Sequence, residues 1–164
     1  MSKLDYDEIE DDNQLIILNC GEHVVSSVDN IEGNTAIYWT FTTKNFLRSL
    51  HRAIQEEKET GKSCNYSIDV TFNLTKEEYN LGLLGSIVPV IRSSDNFVTY
   101  QFVPFFGFFC KSEAEVVYNG VFSTAKEWTK ILLDVDLDIK YLTQDHCRAS
   151  ANAAITNFQV IQID

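Results

Sequence analysis

The chain has 164 residues, 45% of them apolar and 23% charged, proportions that suit one folded domain able to bury a core without disulfide staples. Its 24 Asp and Glu outnumber 13 Lys and Arg, leaving a net charge of -11. Proteins that grip nucleic acid or anionic lipid need Lys and Arg at the contact, so direct binding to nucleic acid or a membrane is disfavoured. A basic protein is the partner such a charge attracts.

Residues 1–13 include Asp5, Asp7, Glu8, Glu10, Asp11 and Asp12 and read as a flexible acidic tail ahead of a single domain over 14–164. An acidic start is the opposite of a signal peptide, and no apolar run is long enough to span a bilayer, so a cytoplasmic protein is expected. Two glycosylation triplets, at Asn65 and Asn73, are short enough to arise by chance. Cys20, Cys64, Cys110 and Cys147 form no C-x-x-C pair, and in a reducing compartment they read as small buried residues.

A first strand is expected over Leu15–Leu18. Residues 20–34 are less periodic, and Thr35–Thr42, rich in β-branched and aromatic residues, reads as a second strand. Thr43 is placed to cap a helix whose apolar face is Phe46, Leu47, Leu50 and Ile54, and Gly61 to stop it. Ser67–Leu74 alternates as a half-solvated strand. Thr75 and Glu78 have capping-box spacing, so a short helix is expected through Tyr79, Leu81 and Leu83, weakened by Gly82 and Gly85. Residues 87–91 and then 97–110 read as extended, interrupted at Pro89, Pro104 and Gly107. Ala114–Tyr118 looks like a strand closed by the turn dipeptide Asn119-Gly120. Thr124 and Glu127 then open a helix with Trp128, Ile131, Leu132 and Val135 on one face. Leu137–Leu142 and Ile155–Ile163 read as closing strands, separated by a small-residue connection over 144–154. Irregular interspersion of helices among strands implies an α+β fold, a mainly antiparallel sheet of roughly six to eight strands with about two to three helices.

Three features invite a functional reading. Asp134, Asp136 and Asp138 alternate with Val135, Leu137 and Ile139. As a calcium loop the run fails, because Ile139 stands where the sharp turn needs glycine, the Lys140 ammonium opposes the ion, and the twelfth place holds Asp145 and not glutamate. No metal is expected. As a strand the run puts three carboxylates in a row, spaced somewhat like phosphates on a nucleic-acid strand, or simply forms a solvated face. The segment Phe102–Cys110 holds five of the eleven phenylalanines. Alternation sends Phe106 and Phe108 to one side and Phe105 and Phe109 to the other, so one side needs the core and the other a further cover, from this chain or from a partner. His146 lies beside Cys147, and His23 near Cys20, but neither pair has the surroundings of a thiol active site or a zinc site. The phosphate-loop, dinucleotide, zinc-protease and nucleophile-elbow motifs are absent from the sequence, and no cofactor is expected.

These observations favour a non-catalytic protein that inhibits or masks a basic partner, comparable in charge and size to immunity or anti-defence inhibitors, with nucleic-acid mimicry as a variant. Asp134, Asp136, Asp138, Phe105 and Phe109 are its expected partner-binding residues. One alternative is a homo-oligomeric assembly subunit joined through residues 105–109. Another is a small-ligand binder or an enzyme that draws on His23, Tyr38 and His146.

Overall fold

The computed structural model describes residues 11–25, 34–71, 78–92, 97–145, 147–160 and 162–163. In chain order the elements are β1 (Ile16–Val25), β2 (Asn34–Thr42), α1 (Lys44–Thr60), β3 (Asn65–Thr71), β4 (Asn80–Arg92), β5 (Phe97–Cys110), α2 (Glu115–Leu133), β6 (Tyr141–Gln144), α3 (Arg148–Asn157) and β7 (Gln162–Ile163). Among the described residues the strands form one seven-stranded sheet, ordered β1-β2-β5-β4-β3-β6-β7. Its first four pairings are antiparallel, while β6 joins β3 and β7 joins β6 in parallel. This is an α+β fold with a mostly antiparallel sheet.

The helices lie on one face of that sheet. Directly paired residues share a face, so Tyr38 with Cys110, Gly82 with Phe108, and Ile68 with Leu84 and Phe106 all point the same way. That side is sealed: Tyr38, Ile68, Leu84, Phe106, Phe108 and Cys110 are buried among Val117, Tyr118, Val121 and Phe122 of α2. Phe108 meets Tyr118 edge-on with ring centroids 5.9 Å apart. The helix α1 adds Leu47, Leu50 and Ile54 to the same core and touches α2, and α3 packs on α2 through Phe158 and Phe122.

Glycine decides how closely the layers approach. A Cβ on Gly120 would lie 2.1 Å from the Tyr38 hydroxyl, so α2 can cross β2 only where it has no side chain. Asn119-Gly120 thus sits inside a helix and not in the expected turn, and the expected strand over Ala114–Tyr118 is the start of α2. In β4, a Cβ on Gly82 would lie 2.0 Å from the Phe108 ring. Leu81 and Leu83 accordingly belong to a strand, and the short helix expected through them is absent. Phe72–Lys76 and Glu77, with the capping Thr75, lie outside the described residues.

The helix α1 follows its sequence signals. Thr43 Oγ1 accepts from the Phe46 N–H at 3.1 Å, and Gly61 closes the helix at φ 69° while its N–H donates to the Glu57 carbonyl at 2.9 Å. Nothing lies within 4 Å of the place a Gly61 side chain would occupy, so Gly61→Ala meets only the backbone strain of the left-handed region. A loss of about 1 kcal/mol in urea unfolding is expected; an unchanged midpoint would show that this cap does not hold the end of α1. Of the acidic tail, residues 1–10 lie outside the described residues. Asp12 is ion-paired with Arg48, and Asn13 accepts from Asn45 at 2.8 Å, so 11–13 are tied to the first turns of α1.

At its other end the chain departs from the expected closing strands. Asp134 takes the left-handed C-cap of α2 at φ 53°, and residues 135–139 carry no ladder. Leu137 and Ile139 are nonetheless buried and Asp136 and Asp138 exposed, so the alternation survives without a strand. The small-residue connection winds into α3, which extends through Ile155 and leaves a strand only at Gln162–Ile163. Ala153 and Ala154 are buried, which lets α3 lie close against its neighbours.

Candidate functional site

The sheet face opposite the helices carries no helix among the described residues. Its outward residues from β2 are Ile37, Trp39 and Phe41, with Phe109 beside them on β5 and Leu81 and Leu83 on β4. All of these are apolar; Phe41 is buried and the others are half-buried. Phe41 stacks on Phe109 with centroids 5.5 Å apart, over the bare backbone of Gly107. Trp39 lies 4.9 Å from the ring of Tyr79. On the flanks the register brings Glu22 of β1 beside Ile37, and Asp69 of β3 beside Leu83, both acids exposed.

The apolar surface continues beyond the body of the sheet. On β4 the pairing with β3 reaches Ser86, and on β5 the pairing with β2 reaches Gly107. Past those points, among the described residues, Ile87–Arg92 and Phe97–Phe102 pair only with each other and form a two-stranded arm. One face of the arm is made by the pairs Ile87 with Phe102, Pro89 with Tyr100, and Ile91 with Val98. Tyr100 is 75% exposed and Ile91 67%. Single exposed apolar residues are ordinary, whereas Ile87, Ile91, Val98 and Tyr100 form a contiguous exposed set here.

The expected site residues divide. Phe109 lies on the open face, half-buried beside Phe41. Phe105 does not: it is 1% exposed and packs edge-on to Tyr66 with centroids 6.0 Å apart. The cause is a β-bulge. Leu84 pairs with Phe106 and Gly85 with Pro104, which leaves Phe105 without a partner and turns it toward the helix layer. Simple alternation cannot anticipate that. Asp136 and Asp138 sit on the helix side, lining clefts with Glu57 and Lys58 of α1 and with Lys126, and are not brought onto the surface that holds Phe109. Lys130 also lies 3.5 Å from Asp134 and 3.6 Å from Asp136, so part of the row's charge is matched within the chain.

Sequence reasoning missed the arm and both flanking acids. The signal for the arm was present, since residues 85–92 and 97–110 include a single charged side chain, Arg92. Of the residues named for a scattered active site, Tyr38 is buried under α2, while His146 and the side chain of His23 lie outside the described residues. Among the described residues no group of three metal-binding side chains occurs, and no helix is long and apolar enough to cross a membrane. Comparison with protein-family models, curated proteins and solved structures finds no match to this chain.

Proposed function

We propose that this chain is a non-catalytic protein-binding inhibitor or masking protein that receives a basic partner on the open face of its sheet. The observation that carries the reading is the apolar side of the sheet that runs from half-buried Trp39 and Phe109 out to exposed Ile87, Tyr100 and Ile91, flanked by Glu22 and Asp69. Aromatic anchors at the centre supply most of the energy of a protein interface, and a charged rim chooses the partner. The net charge of -11 supports a cationic partner.

The test is capture from the native cell at low salt, with mass spectrometry of what elutes as salt rises. A basic protein is expected, and the double substitution Tyr100→Ser, Ile91→Ser is expected to weaken its binding at least about tenfold. Both side chains are exposed, so the variant is expected to fold. Equal capture by the double variant would remove the arm from the interface, and a complex indifferent to salt would remove the electrostatic half of the reading.

A second occupant of the same surface is another copy of the chain. The outer edges of the arm pair with no other strand among the described residues, and open edges recruit strands. Arg92 is the arm's one charged residue among those described, so two arms can meet without the repulsion carried by the rest of the surface. Light scattering over a range of concentrations separates the two readings, and a strict monomer excludes the second.

A further inference from the structure

On the helix side, away from the open face, a small cleft of about 40 Å³ is lined by Ile68 and Val70 of β3, Gln144 and Asp145 at the end of β6, and Glu113, Tyr118, Cys147 and Ser150. Buried polar atoms in folded proteins nearly always have hydrogen-bond partners. Here three do not. Glu113 Oε1, Gln144 Oε1 and Ser150 Oγ are all buried with no hydrogen-bond partner among the described residues, and Ser150 as a residue is 1% exposed.

The bonds that are made all run one way. The Cys147 thiol donates to the Tyr118 hydroxyl at 3.6 Å, and that hydroxyl donates to Glu113 Oε2 at 2.9 Å. Burial first, and then these contacts with Cys147 and Glu113, hold the Tyr118 phenol protonated well above its ordinary range. The chain of donors therefore ends on a carboxylate whose second oxygen still needs a proton donor. Glu113 has no ion-pair partner among the described residues. The first turn of α3 brings partial positive charge, about half a unit at most, whereas Glu113 and Asp145 both line the cleft with acidic groups. The net sign is negative.

We propose that this cleft binds a primary ammonium group. A –NH3+ group carries three donors and no acceptor, which matches three unserved oxygens, and its positive charge answers Glu113. A cleft of this volume takes a group little larger than a water molecule. A planar guanidinium is too large, and Ile68 and Val70 offer apolar wall to the methylene behind the nitrogen. The site is separate from the open face and does not rest on the function proposed for it. The ammonium can come from a free small amine or from a lysine side chain of another protein.

The experiment is a titration of the whole chain followed by the methyl resonances of Ile68 and Val70. Methylammonium chloride is expected to shift them saturably in the millimolar range, and tetramethylammonium chloride, which has no N–H, to leave them in place. Glu113→Gln is expected to weaken the response roughly tenfold. Ser150→Ala, which keeps the carboxylate and removes one acceptor, is expected to weaken it less, and it serves where Glu113→Gln fails to fold. An N-acetyl-lysine amide that saturates at lower concentration than methylammonium assigns the source to a protein lysine; the reverse order assigns it to a free amine. No saturable shift with either ammonium overturns the proposal, because the three oxygens are then served by water. So does an equal response to tetramethylammonium, or one unchanged in both variants. Tyr100→Ser, Ile91→Ser leaves this titration unaltered, so the two readings fail separately.

Discussion

Phe108→Ala is expected to cost about 3–5 kcal/mol of folding stability, a large share of the roughly 5–15 kcal/mol that holds a domain together. The ring is fully buried, meets Tyr118 edge-on, and lies directly over Gly82. Removing it strips the sheet of its central contact with α2 and leaves a void that the stiff pair of layers closes poorly. Gly82→Ala is the opposite insult, because its new Cβ would stand 2.0 Å from the Phe108 ring, and overpacking of that kind costs about 1–3 kcal/mol. The double variant tests the geometry. An alanine at 82 fills part of the space that Phe108→Ala opens, so the pair is expected to be less damaging than the two losses added together, by about 1 kcal/mol. Urea unfolding of the four proteins reads this directly, and strict additivity would mean that ring and glycine are not stacked.

Stability is also expected to fall steeply in alkali. Burial, helped by the nearby Glu113 and Cys147, pushes the Cys110 thiol from an ordinary 9.0 up to about 12. The sign follows from where protons are bound. Between those two values the unfolded chain gives up this proton and the folded chain keeps it, so raising the pH favours unfolding. The contribution is fully present below about pH 9 and is lost on the order of 1 kcal/mol per unit of pH up to about 12. The buried phenols of Tyr66 and Tyr118 are raised as well, burial being the first cause in both, and they act in the same direction. Urea midpoints at successive pH values from 8 to 11 would show the fall, and Cys110→Ala is expected to flatten it. A variant with the slope of the parent would clear the thiol of any part in it.

Much of the fold was legible because local signals and packing agree. Thr43, the apolar spacing of α1 and Gly61 mark a helix that forms between those residues. β2 reads as a strand because every second residue from Ala36 to Thr42 faces the helices. Several failures share one cause. Asn119-Gly120, Gly82 and Gly85 look like punctuation in a sequence, but each is a place where another group comes too close for a side chain: Tyr38, Phe108, and the Phe102 ring with the Val103 carbonyl. Those neighbours are distant in the chain, so no local pattern announces them. Of the site, Phe109 was legible from alternation, and Phe105 was not, because the bulge that reverses it depends on the register of β4. The cleft at Glu113 was invisible, since its walls come from β3, β6, α3 and the approach to α2.

The parallel pairing of β6 with β3 bears on how the molecule is made. Hairpins β1–β2 and β4–β5 can zip as soon as each emerges, but Asn65–Ile68 must wait for Tyr141–Gln144 before their second edge is covered. During synthesis the nascent sheet would therefore expose a raw border at β3 for as long as β4, β5 and α2 take to follow. Such a border invites mispairing with other chains. A cell that produces this protein quickly should meet more aggregated product than one that produces it slowly, and cooling the culture should recover yield.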